Sequence, residues 1–172
     1  MKKIYNRFED LHRDLIKEIG KKGKNIKVRA SRTRELIDFS FKYNFDDYVR
    51  INSILTHGEY CEDKISENID KWWYVKKQLD SDLNSRRAVL DFFDIDLGNP
   101  YCYISAHFII RNKKLIVIVY WRSLDVKNKL EQDLEFFSYL ADEICDTFDV
   151  ELDYIKANVG SLHYYTLHYY TK

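Results

Sequence analysis

The sequence predicts an α+β fold on three grounds. The stretch from Asn99 to Asp125 reads as two β-strands joined by a tight polar turn. Segments with helical spacing of apolar residues lie near the start of the chain and again after Asp125. The composition is that of a densely structured globule, with 14 tyrosines, 10 phenylalanines, five glycines and one proline in 172 residues. That length suffices for one hydrophobic core, and residues 1–172 are expected to form a single domain. Twenty-eight basic residues balance 28 acidic ones, so no net field draws nucleic acid or an anionic membrane. The three cysteines, Cys61, Cys102 and Cys145, are widely spaced and form no metal-binding pair. Reduced thiols, no membrane span and no signal peptide predict a cytoplasmic protein without a metal.

The elements follow in chain order. Phe8, Leu11, Leu15, Ile16 and Ile19 mark a helix over Ile4 to Ile19, ended by Gly20 and Gly23. A short strand is expected at Ile26 to Arg29. A half-buried strand follows at Ile37 to Tyr43, where apolar and polar residues alternate. Arg29, Arg32 and Arg34 lie on the turn between them. Ile65, Ile69, Trp72, Trp73 and Leu79 suggest an amphipathic helix, and Ser85-Arg86-Arg87 leads into an apolar strand. Pro100 enters the first strand of the central hairpin, where no ladder N–H is needed. There Tyr101, Tyr103, Ser105 and His107 alternate with Cys102, Ile104, Ala106 and Phe108. The second strand, Leu115 to Tyr120, is apolar throughout, as in a strand buried on both faces. A helix from Leu130 to Ile144 and a strand from Val150 to Ala157 complete the set, followed by a His- and Tyr-rich segment to His168.

The hairpin ends bring together a thiol (Cys102), a guanidinium (Arg122), a hydroxyl (Ser123) and a carboxylate (Asp125). The spacing of Pro100, Cys102, Phe108, Arg122, Ser123 and Asp125 resembles the thymidylate synthase superfamily, as do Ser85-Arg86-Arg87 before it and Gly160, His163, Tyr165 and His168 after it. The resemblance covers about Asn84 to His168. It implies a thymidylate synthase-like fold of reduced size, a mixed β-sheet packed against helices. It also implies a homodimer acting on a pyrimidine nucleoside monophosphate, with 5,10-methylene-tetrahydrofolate as one-carbon donor.

By the same resemblance Cys102 is the nucleophile that adds to ring carbon 6. A thiol of ordinary pKa, about 8.5, is mostly protonated at neutral pH, and Arg122 is the cation placed to activate it. Arg122 and Ser123, with Arg86 and Arg87 of the partner subunit, would bind the 5′-phosphate through forked hydrogen bonds. Arg29, or else Arg32, would be the arginine of the family's phosphate loop. Asp125 would orient the pterin, and His163 and Tyr165 would hold the sugar hydroxyl. Glu59, Glu62 and Glu67 are the candidates for a proton-handling glutamate.

Asp133 stands where thymidylate synthases carry a pyrimidine-reading asparagine. A carboxyl group suits the amine and ring nitrogen of cytosine better than the edge of uracil. In this the chain resembles the (deoxy)cytidylate 5-hydroxymethylases. Three functions remain open: hydroxymethylation of dCMP or CMP, cytosine-nucleotide binding without turnover, and thymidylate synthesis or uridylate methylation. Tyr103 beside the nucleophile, where most thymidylate synthases have histidine, and Lys129, where a glycine is usual, depart from the family pattern.

Overall fold

The structure, a computed structural model, describes residues 4–28, 31–44, 61–92 and 101–167. Its elements are β1 (Ile4–Tyr5), α1 (Phe8–Lys22), β2 (Lys24–Val28), β3 (Ser31–Tyr43), α2 (Ile69–Ser81), β4 (Val89–Asp91), β5 (Tyr103–Arg111), β6 (Lys114–Asp125), α3 (Leu130–Phe148) and β7 (Glu151–Leu167). Residues 61–66 form a further helical stretch. The seven strands make one mixed sheet in the order β1-β3-β7-β6-β5-β4, with β2 paired to β3. β6 and β7 run parallel and are linked through α3, as a parallel pair requires. The α+β class with a mixed sheet is therefore as the sequence predicts.

Four local expectations are corrected. Ile4 and Tyr5 do not begin the first helix. They pair with Lys42 and Tyr43 as a short parallel strand, and the helix starts at Phe8. β3 starts at Ser31, so Arg32 and Arg34 lie in a strand and not on a turn. Arg34 is used structurally, because its guanidinium donates to the carbonyls of Ile19 (3.0 Å) and Gly20 (2.8 Å) at the end of α1. β6 runs on through Asp125 and is not buried on both faces. Leu115, Val117 and Val119 are buried, whereas Ile116 and Ile118 are only partly covered and Tyr120 is exposed.

The fourth correction concerns β5, where the simple alternation fails. Tyr103 and Ala106 both face the core, three residues apart, because Ile104 is an extra residue opposite the Tyr120–Trp121 step. The same three-residue spacing of inward side chains recurs at Trp121 and Leu124, Val159 and Leu162, and Leu36 and Phe39. A line of irregularities thus crosses β5, β6, β7 and β3. Asp38 supports it in the left-handed region, with φ 56°. Gly160 supports it by close approach, since a Cβ there would lie 3.0 Å from the Arg122 carbonyl oxygen.

The hairpin turn itself is as expected, with Asn112 and Lys113 both at positive φ as a type I′ turn demands. The helices pack on one face of the sheet through Leu11, Leu15 and Ile19 of α1, Trp72, Val75 and Leu79 of α2, and Leu134, Phe137 and Ile144 of α3. No described helix covers the other face. Ile37 (68% exposed), Tyr120, Ile104 and Val89 lie open there.

Candidate functional site

The site is built where four strands meet beyond the sheet's bend. β6 and β7 run towards this end, and β5 and β3 begin at it. Cys102 stands one residue before β5, at a bend, partly exposed and packed against the core. Its carbonyl oxygen accepts the backbone N–H of Arg122 (2.9 Å) and is 3.4 Å from that of Ser123. The thiol, guanidinium and hydroxyl residues anticipated from the sequence are therefore joined through the backbone. The Arg122 side chain is exposed and donates through Nε to the Tyr101 carbonyl at 3.1 Å.

The other thiols differ. Burial, with Glu135 and Glu62 nearby, pushes Cys61 up to about 11, far from thiolate chemistry at neutral pH. Cys145 lines a separate cleft of about 560 Å³ with Asn112, Lys113 and Asp149, at the hairpin-turn end of β5 and β6.

Asp125 ends β6 opposite His163. Its two carboxylate oxygens accept the Lys127 backbone N–H (3.1 Å) and the Asn128 amide (2.6 Å), which fixes the turn into α3. His163 lies between Asp125 and Glu35 in register, its Nδ1 3.4 Å from the Ser161 carbonyl oxygen. The Ser161 hydroxyl donates to Glu35, and the Tyr165 ring meets that of His163 edge to face at 5.4 Å. Arg32 lines a cleft of about 390 Å³ with Asn25, Ile26, Lys27 and Thr166 at this same end. Arg29, Glu59 and His168 lie outside the described residues.

Asp133 sits in the first turn of α3, 4% exposed. The Trp121 indole Nε1 donates to its Oδ2 at 3.2 Å. Trp121 pairs across the ladder with Tyr103, the neighbour of Cys102, so one rung of the sheet links the Cys102 backbone to the residue that bonds Asp133. Burial raises the Asp133 pKa to about 7, against smaller lowering effects of the Trp121 bond and of Lys129.

Arg86 and Arg87 are exposed and stand apart from this group. Val89 pairs with His107, which sets Arg87 level with Ile109, roughly 20 Å along β5 from Cys102 at about 3.3 Å per residue. The His107 ring hydrogen-bonds the Arg86 backbone, and burial lowers its pKa.

Of the described candidate glutamates, Glu67 bonds Tyr101, the residue before Cys102. It accepts the Tyr101 hydroxyl and the Lys64 ammonium (2.9 Å), which together hold its carboxyl below the usual range. The Tyr101 ring stacks on Tyr103 at 5.3 Å. Trp121, His107, Ser161 and Glu35 were not singled out by sequence reasoning. Their partners are 12 or more residues away or on another strand, so no spacing rule marks them.

Comparison with known proteins identifies the family. A family described as "Thymidylate synthase" matches residues 3–171. A curated relative, "Thymidylate synthase" of Vesicomyosocius okutanii subsp. Calyptogena okutanii (strain HA), is 25% identical over 117 residues, which is 66% of this chain and 43% of the relative. The chain thus spans less than half the length of that relative. With the mixed sheet and the thiol-bearing junction at its bend, a match over nearly every residue establishes that this chain belongs to the thymidylate synthase family.

Proposed function

We propose that the protein transfers a one-carbon unit to carbon 5 of a pyrimidine nucleoside monophosphate, and that it hydroxymethylates dCMP or CMP. The observation that carries this reading is the junction at Cys102, with the Arg122 and Ser123 backbone bonded to its carbonyl and Asp133 bonded to Trp121 of the adjoining Tyr103–Trp121 rung. The Cys102 sulfur adds to ring carbon 6, which makes carbon 5 nucleophilic. Arg122 and Ser123 bind the phosphate, aided by Arg29 or Arg32. His163 and Tyr165 take the sugar hydroxyl, and Asp133 reads the base. When bound, 5,10-methylene-tetrahydrofolate would supply the one-carbon unit and leave as tetrahydrofolate; carbon 5 gives up its proton, water adds to the transferred carbon, and the Cys102 sulfur leaves carbon 6. Asp125 fits a pterin donor while still holding its turn, because each carboxylate oxygen has a second lone pair.

The preference for cytosine rests on Asp133. A carboxyl of pKa about 7 is partly protonated near neutral pH, which gives it one donor and one acceptor for the ring nitrogen and amine of cytosine. A second reading, cytosine-nucleotide binding without turnover, is favoured by Lys129, a long side chain at the entry of α3 where the family's glycine is usual. Thymidylate synthesis, the activity in the relative's name, and uridylate methylation are the readings that Asp133 disfavours.

The working form is a cytoplasmic homodimer. The open sheet face with Ile37, Tyr120, Ile104 and Val89 suits a second copy across a two-fold axis. Such a dimer gives Arg86 and Arg87 a role on the partner's phosphate that their distance from Cys102 denies them within one chain.

Tritium release from carbon 5 of labelled dCMP or CMP, with methylene-tetrahydrofolate present, tests the activity. Release lost in Cys102→Ala supports it, and no release from the wild type refutes turnover. Mixing the Cys102→Ala variant with the Arg86→Ala/Arg87→Ala variant tests the shared site. Recovered activity in the mixture is expected, whereas two inactive halves staying inactive refutes the shared arrangement.

A further inference from the structure

We propose that Trp121 is a positioning residue for base recognition, its indole N–H fixing which oxygen of Asp133 serves as acceptor and which is left to carry a proton. This rests on the assignment of Asp133 as the base-reading group. The indole is a donor only, so the oxygen it bonds, Oδ2, must be an acceptor in every protonation state. Among the described residues Oδ1 takes no hydrogen bond. A carbonyl oxygen accepts the indole N–H better than a hydroxyl oxygen does, so the bond favours the proton on Oδ1. Oδ2 keeps a second lone pair beyond the one given to Trp121.

That arrangement offers a hydroxyl donor beside a carbonyl acceptor. The cytosine edge presents the complement, a ring-nitrogen acceptor beside an amine donor. The uracil edge sets an N–H against Oδ1 and a carbonyl against Oδ2, so both pairs clash when Asp133 is protonated and one still clashes when it is ionised. Without the indole bond the two oxygens are equivalent, and the carboxyl group can turn over to offer either order.

The surroundings support a fixed carboxyl. Trp121 is itself 2% exposed and packs edge to face on Phe137 at 5.0 Å, so the donor has little freedom. The groups that face Asp133 are Trp121 from β6, Lys129 one turn earlier, and the buried Tyr43 phenol from β3. Of these, Trp121 and Lys129 favour the ionised form and burial opposes it.

The test is Trp121→Phe, which keeps an aromatic ring against Phe137 and removes the N–H, with Trp121→Gln as a variant that restores a donor. Calorimetry with CMP and UMP at pH 6.5 reads the preference, and carbon-13 carboxyl NMR reads the Asp133 titration directly. In the wild type CMP is expected to bind more tightly than UMP. In Trp121→Phe that preference is expected to fall about tenfold, and the Asp133 titration to move to higher pH, with both recovering in Trp121→Gln. A folded Trp121→Phe protein with the wild-type CMP to UMP ratio and titration overturns the role of Trp121 while leaving Asp133 as the reader. A wild type that prefers UMP, or binds neither nucleotide, overturns both assignments.

Discussion

Replacing Asp133 by asparagine is expected to stabilise the protein, and to do so more as pH rises. The ordinary aspartate pKa of 3.8 is raised to about 7 here, chiefly by burial. The folded state therefore holds a proton that the unfolded chain has already released. Stability from the protonated form is full below pH 3.8, falls as pH rises from there, and levels off above about 7. Each pKa unit corresponds to about 1.4 kcal/mol, so the rise amounts to roughly 4 kcal/mol at most above pH 8 and to about 1.5–2 kcal/mol at pH 5. Asparagine carries no such term, and its side-chain oxygen can still accept the Trp121 N–H. Urea unfolding of wild type and Asp133→Asn at pH 5 and pH 8 isolates the effect, because every other titrating group cancels in the difference. The variant's advantage should grow by about 2–3 kcal/mol between the two pH values. Parallel stability profiles would show that Asp133 titrates as an ordinary carboxylate, and the reading of it as a proton-bearing base reader would fail with them.

Two further substitutions examine the frame that holds the site. Gly160→Ala places a Cβ 3.0 Å from the Arg122 carbonyl oxygen, a backbone atom that cannot swing aside, and should cost about 1–3 kcal/mol in urea unfolding. Nucleotide affinity should weaken with it because Arg122 is displaced, and an unchanged midpoint refutes the close approach. Trp72→Phe removes the indole bond to the Glu143 carboxylate (2.9 Å) but keeps an aromatic ring beside Phe108. It should lower stability by about 1–2 kcal/mol, read from the same unfolding midpoints.

Much of this molecule is legible along the chain. Helical spacing in α1 and α3, the Asn112-Lys113 turn and the apolar run of β6 are local signals, because side-chain period and turn chemistry act over a few residues. The spacing of Cys102, Arg122, Ser123, Asp125, Asp133, His163 and Tyr165 was readable for the same reason, as a pattern on neighbouring elements. The bend was not. It depends on Ile104, Asp38 and Gly160 breaking alternation in strands that meet only in the sheet, and each strand alone gives no cause to shift its phase.

The sequence by itself determined the element types, the mixed α+β class and which residue types are available for chemistry. Only the tertiary structure decided that Trp121 bonds Asp133, that Arg34 caps α1 while Arg32 faces a cleft, and that Arg86 and Arg87 lie far from Cys102. Those outcomes depend on strand order and register. Register is set by the fit of the whole core, and a one-residue slip would turn each of these side chains to the opposite face.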